Sequence, residues 1–169
     1  MTKRLLTTIL TTLLTAIGLQ AASSFTNVKL TVSGMTVTMS NGKTTIKIGS
    51  NGKASSMKWG SRELLDGSNG IYFDYTTAQG NKALSPSELK IIKQTDEMCE
   101  VLYSATSGNT IFQQGYIMRN YIAGVYTYVI ATGTATSASE PLKEVRVCTR
   151  LASDMLNGYV DYRMNGKLP

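Results

Sequence analysis

Turn residues break this chain at short intervals, and no stretch between them keeps a helical hydrophobic period for three turns. Asn41-Gly42 is a strong two-residue hairpin signal between two alternating runs. Ser50-Asn51-Gly52 repeats the device, and Gly/Asn clusters at 66–70, 79–81 and 107–109 mark further connections. Threonine, valine, isoleucine and tyrosine dominate the segments between them. The pattern predicts strands over Val28–Val32, Met35–Met39, Thr44–Ile48, Ala54–Trp59, Gly70–Tyr75, Leu89–Gln94, Cys99–Ala105, Ile111–Arg119, Val125–Ala131 and Lys143–Leu151. Pro86 and Pro141 fall in polar loops, where a missing amide donor does no harm. The expected fold class is all-β, an antiparallel β-sandwich.

The first residues read as a processing signal. Met1-Thr2-Lys3-Arg4 is cationic, Leu5 to Leu19 is apolar and threonine-rich, and Gln20-Ala21-Ala22 offers small residues for cleavage. The run is short for a membrane span, and the lipobox cysteine of an exported lipoprotein is missing. A signal peptide over 1–22 is therefore expected, with a secreted or periplasmic product spanning 23–169 and no membrane partner after cleavage. About 147 mature residues can bury one core. The chain ends at Gly166-Lys167-Leu168-Pro169 without a capping helix. Long sandwiches often need more strands than this to cover both sheets, so an incomplete sandwich is expected.

Loss of Lys3 and Arg4 takes the basic count from 17 to 15 against 11 acidic residues, so the net charge falls from +6 to +4. No basic run or aromatic-interleaved basic patch accompanies it, which argues against nucleic acid as a partner. A mild positive balance suits a polyanionic polysaccharide. There is no histidine, which excludes Ser-His-Asp and Cys-His catalysis and His-ligated zinc within these residues. Phosphate-loop glycine spacing is absent. Cys99 and Cys148 are too few for a metal site alone; a disulfide and two buried thiols are both open. No cofactor is expected, and the chain is expected to act as a monomer.

Leu142 to Leu156 carries the sharpest functional signal. On a strand, the period of two puts Glu144, Arg146, Cys148 and Arg150 on one face and Val145, Val147 and Leu151 on the other. Two guanidinium groups on an apolar-backed strand suit an anionic ligand, because arginine grips a carboxylate with two parallel hydrogen bonds. A solvated outer strand whose Glu and Arg pair with neighbours gives the same pattern, and such pairs are weak. Arg119, with Tyr126 and Tyr128 on one face of a later strand, is a second group; tyrosines can stack on sugar rings or pack a core. Trp59 beside a turn could be a sugar platform or a packing anchor. Asp74 is a carboxylate with no evident partner.

Several stretches together resemble the N-terminal domain of polysaccharide lyase family 4, the rhamnogalacturonan endolyases. They are Thr36 to Gly42, Gly52 to Leu65 ending on Glu63-Leu64-Leu65, and Gly70-Ile71-Tyr72-Phe73-Asp74-Tyr75. Tyr116 to Arg119 with Gly124 to Tyr128, Glu144-Val145-Arg146 with Arg150-Leu151, and Asp161-Tyr162-Arg163 running to Leu168-Pro169 follow in order. The resemblance implies a galactose-mutarotase-like β-supersandwich with pectic polysaccharide, rhamnogalacturonan I, lying across one face. It implies β-elimination at rhamnose–galacturonate bonds, with a base removing the proton α to the uronate carboxylate and an acid assisting the leaving group. An arginine stabilises the developing enolate dianion, and the resemblance gives that role to Arg146. Arg150, Arg119, Tyr126 and Tyr128 are then expected to bind substrate. The family's base is a lysine and its acid a histidine, both expected beyond Pro169. This segment would supply part of the cleft without proton transfer, or act as a non-catalytic carbohydrate-binding module.

Overall fold

The computed structural model describes residues 24–67, 70–134 and 142–153. The expected signal peptide and the Asp161 to Pro169 stretch lie outside those residues. The described chain is all-β: β1 (Lys29–Ser33), β2 (Thr36–Ser40), β3 (Thr44–Ile48), β4 (Ala54–Trp59), β5 (Arg62–Glu63), β6 (Ile71–Thr77), β7 (Gly80–Ala83), β8 (Glu88–Gln94), β9 (Met98–Ser107), β10 (Thr110–Arg119), β11 (Tyr126–Gly133) and β12 (Glu144–Thr149). Each expected strand is found, with ends moved by at most two residues. β5 and β7 are additions. Both are short, and Gly-Asn-Lys-Ala in β7 has the composition of a turn; it forms a strand because β6 offers it a ladder from Asp74 to Thr77.

Every strand pair is antiparallel. The larger sheet runs β1-β2-β3-β4-β6-β12, with β5 on β4 and β7 on β6; the smaller runs β11-β10-β9-β8. Alternation puts Val37, Met39, Ile46, Ile48 and Phe73 of the first sheet against Val101, Tyr103, Phe112, Tyr116 and Met118 of the second, all nearly or fully buried. Tyr75 stacks on Phe112 across the layer at 4.1 Å between centroids. The class expected from the sequence, an antiparallel β-sandwich, is the one observed.

Polar side chains lock the two sheets together. Tyr103 Oη donates to the Met35 carbonyl and Tyr116 Oη to the Gly52 carbonyl, each at 2.8 Å. Burial pushes both phenols well above their ordinary pKa, so they stay neutral donors. Asn41 does more than its turn signal suggests. Its backbone N–H donates to Thr44 O, which puts Gly42 and Lys43 at the hairpin tip. Its side chain is fully buried: Nδ2 donates to the Arg119 and Ile122 carbonyls, and Oδ1 accepts from the amides of Thr44 and Lys43. One residue thus bonds the β2–β3 hairpin to the β10–β11 connection of the other sheet. Asn41→Ala is expected to cost about 3 kcal/mol, from lost bonds and stranded carbonyls. Urea unfolding measures it, and a loss under about 1 kcal/mol would contradict the clamp.

Cys99 and Cys148 are both free thiols. Cys99 faces the core from β9, where burial pushes its thiol up to about 11, while Cys148 lies on β12 of the other sheet.

Candidate functional site

The site is set by the pairing of β12 with β6. Their register places Arg146 opposite Asp74, Val147 opposite Phe73 and Val145 opposite Tyr75. Phe73 and Tyr75 point into the core, so Asp74 and Arg146 share the outer face of the large sheet. Arg146 Nε donates to Asp74 Oδ1 at 2.8 Å and Nη2 to Oδ2 at 2.7 Å. Glu144 stands 3.7 Å from Nε. Asp74 is buried, whereas the Arg146 side chain is 44% exposed. Its hydrogen bonds from Arg146 hold the Asp74 carboxyl below its ordinary value, and Asp74 in turn raises Arg146. The pair engages one edge of the guanidinium. Nη1 and the second Nη2 hydrogen remain available for another acceptor.

Arg150 joins the same face. Its side chain hydrogen-bonds Tyr72, which raises its pKa, and Tyr72 is two residues from Asp74 on β6. Lys53 Nζ lies 5.4 Å from the Tyr72 ring centroid. Setting Arg146, Arg150 and Lys53 against Asp74 and Glu144 leaves this face positive by one charge. The end of β12 is fastened by backbone bonds: Arg150 N to Gly70 O at 2.8 Å, Asp66 N to Arg150 O at 2.9 Å and Ala152 N to Leu64 O at 3.0 Å. The turn that receives them is itself tied down by Glu63. Its carboxylate accepts from Ser56 Oγ at 2.5 Å and from the Met57 amide at 2.8 Å, as well as from its own turn amides. Burial raises the Glu63 pKa, but these bonds outweigh it and the net shift is downward.

Beside the ion pair a cleft of about 370 Å³ opens between Asn51, Lys53 and Tyr72 on one side and Asn81 and Ala83 on the other. Asp74 lines its wall.

Since the Asp74 carboxyl has a folded pKa below the unfolded one, its pairing stabilises fully above the ordinary carboxylate range. That stability is lost as pH falls through the lower folded value. Asp74→Asn is therefore expected to flatten the acid limb of a stability–pH curve below about pH 4 while leaving its shape near neutrality. Urea midpoints measured across that range check it; an unchanged acid limb would contradict the pairing.

The other expected site residues fall elsewhere. Arg119 closes β10 of the small sheet, and its carbonyl receives Asn41. Val125 and Val129 pack on the core, so Tyr126 and Tyr128 face outward from the small sheet. Tyr126 is 53% exposed. The Tyr128 ring covers Gly115, and its hydroxyl donates to Glu100 at 2.6 Å. Burial and that carboxylate push the Tyr128 phenol up to about 12. The structure thus joins Arg146 with Arg150 and leaves Arg119, Tyr126 and Tyr128 on the opposite sheet. Core packing for the two tyrosines is overturned, because their neighbours take the inward positions. Trp59 is exposed at the end of β4 and anchors no core. The expected apolar back of β12 is half-open too: Val145, Val147 and Leu151 are all exposed at this sheet edge. Asp74, without a partner on sequence grounds, is the residue that organises Arg146.

Over 158 residues the chain is 30% identical to a rhamnogalacturonate lyase of Dickeya dadantii. The chain is related to a lyase. The match takes in 87% of this chain and 27% of that protein, so the chain spans about a quarter of its relative's length. The relation reaches the level of a lyase-family or carbohydrate-active domain. No family model matches the chain. Among the described residues no helix is long and apolar enough to cross a membrane. No group of three or more His, Cys, Asp or Glu residues gathers there to hold a metal ion.

Proposed function

We propose that this chain is the substrate-holding part of an exported rhamnogalacturonan lyase, binding rhamnogalacturonan I across the outer face of β6 and β12. The observation that carries the reading is the half-engaged guanidinium of Arg146. Asp74 fixes its plane, and the remaining edge can take a uronate carboxylate with two parallel hydrogen bonds. In β-elimination the proton leaves the carbon next to that carboxylate, and negative charge spreads onto the carboxylate oxygens. A fixed guanidinium stabilises that charge more than the ground-state carboxylate, which is how it lowers the barrier. Arg150 would extend the grip to a neighbouring acidic or hydroxyl group. Arg119, Tyr126 and Tyr128 would have to serve a separate stretch of polymer, since they face away from Arg146. Signal cleavage near residue 22, monomeric action and the absence of a cofactor remain part of this proposal.

The proton-transfer residues are sought outside this chain, which has no histidine. Absorbance of the unsaturated uronate product tests catalysis: a longer protein carrying this chain should release it from rhamnogalacturonan I, and its Arg146→Gln form should not. Absence of product from the unmodified longer protein would sink the lyase reading. A non-catalytic carbohydrate-binding module is the second reading, since the Arg146 face needs no proton-transfer residue to hold a polymer; polymer binding without product from the longer protein identifies it.

A further inference from the structure

Among the described residues, the buried side-chain nitrogen and oxygen atoms without a hydrogen-bond partner both belong to Gln114. Gln114 is fully buried on β10, on the inward face it shares with Phe112, Tyr116 and Met118. The Tyr116 hydroxyl is close to it; that hydroxyl donates to the Gly52 carbonyl, so it has no proton for Oε1 and could serve Nε2 only as an acceptor. A buried primary amide offers two donors and an acceptor, and leaving all of them unused is costly. Gln114 also lines the cleft beside the Arg146–Asp74 pair. The cleft enters where β6 has only one register partner on β4, Ala54 opposite Ile71, before β7 takes over at Asp74. Through that gap in the large sheet, the cleft leads from the outer face toward an amide in the core.

We propose that this cleft is a subsite for a neutral, hydroxyl-bearing sugar residue, with Gln114 at its floor pairing with two adjacent hydroxyls. This deepens the polysaccharide reading above and rests on it. A pair of neighbouring hydroxyls supplies the acceptor for Nε2 and the donor for Oε1 that the protein withholds. The volume, about 370 Å³, lies at the small end of ligand clefts and suits a ring or two of a sugar chain. The lining carries one cationic and one anionic side chain, Lys53 and Asp74, the latter already paired with Arg146, and the exposed guanidinium edge that suits a carboxylate lies outside the lining. Asn51 and Asn81 at the rim add amide groups that read hydroxyls in either sense. The uronate would then bind Arg146 while its neutral neighbour enters the cleft.

The test titrates the full chain with methyl glycosides of neutral hexoses and 6-deoxyhexoses, followed by NMR shift changes. Saturable binding is expected with at least one glycoside, weakened at least tenfold by Gln114→Leu. Ala83→Phe, which fills the cleft from an exposed edge-strand position, should abolish binding without touching the core. Gln114→Leu should be as stable as the parent or more so, because it removes an unpaired buried amide. No saturable binding by any glycoside, or binding indifferent to Ala83→Phe, would overturn the subsite. Arg146→Gln separates the two claims, since it should spare the glycosides and weaken the acidic polymer. Failure of the subsite alone leaves that polymer effect intact; failure of the Arg146 reading leaves polymer binding unchanged by Arg146→Gln.

Discussion

Gly70→Ala is expected to be among the most damaging single substitutions, lowering stability by about 4 kcal/mol. Gly70 has φ +42°, a conformation that costs a residue with a side chain. An added Cβ would also run into the carbonyl oxygen of Ala54, which belongs to the backbone and cannot swing aside. The consequences reach the site because three connections meet there. Ala54 is the residue through which β4 registers with β6. Gly70 N donates to Asp66 O at 2.7 Å, and Gly70 O accepts from Arg150 N at 2.8 Å. Moving Gly70 therefore loosens the β4–β6 junction and the end of β12 together, and polymer binding should fall with stability. Denaturant unfolding compared with Gly34→Ala sets the scale, since a Cβ at Gly34 meets nothing within 4 Å although its φ is also positive. Equal losses for the two would show that backbone strain alone, not the contact with Ala54, governs Gly70.

The second large effect is on binding. Arg146→Gln is expected to weaken acidic pectic polymer roughly tenfold to a hundredfold, the usual worth of a bidentate charge-assisted pair. Arg146→Lys should not restore it. An ammonium is a point charge and cannot pair with Asp74 on one edge while presenting a second planar edge to the ligand. Arg146→Gln should also lower stability, though by less than Gly70→Ala: the guanidinium is partly exposed, and Asp74, which is buried, loses its compensating charge. Isothermal titration at low and moderate salt reads the effect. Full affinity in Arg146→Lys would mean that diffuse positive charge, rather than this geometry, attracts the polymer.

How much of this was legible in the sequence follows from which signals are local. Strand positions were legible, since alternation and turn chemistry are short-range, and so was the placement of Glu144, Arg146, Cys148 and Arg150 on one face. Cross-strand partners were not. Asp74 and Arg146 are 72 residues apart, and only the register of β12 on β6 makes them neighbours. The same holds for Asn41, whose turn signal hid a buried side chain reaching Ile122 across 81 residues. β7 was missed because a strand of Gly, Asn, Lys and Ala has no β propensity of its own and exists by pairing. Gln114 did leave a trace: it is the polar residue in the alternating series Phe112, Gln114, Tyr116, Met118. An amide at a core position on a strand asks for a partner, and that question leads to the cleft. The apolar back of β12 misled in the opposite way, since period two shows which residues share a face and not whether another layer covers it.

The measurement that bears most directly on the Arg146 site is a paired titration of native and carboxyl-reduced rhamnogalacturonan I against the parent chain and Arg146→Gln. If Arg146 holds a uronate carboxylate, the parent should prefer the native polymer by tenfold or more. Arg146→Gln should erase that preference while binding the reduced polymer as the parent does. Equal affinity of the parent for both polymers, or equal loss on both when Arg146 is replaced, would contradict the account.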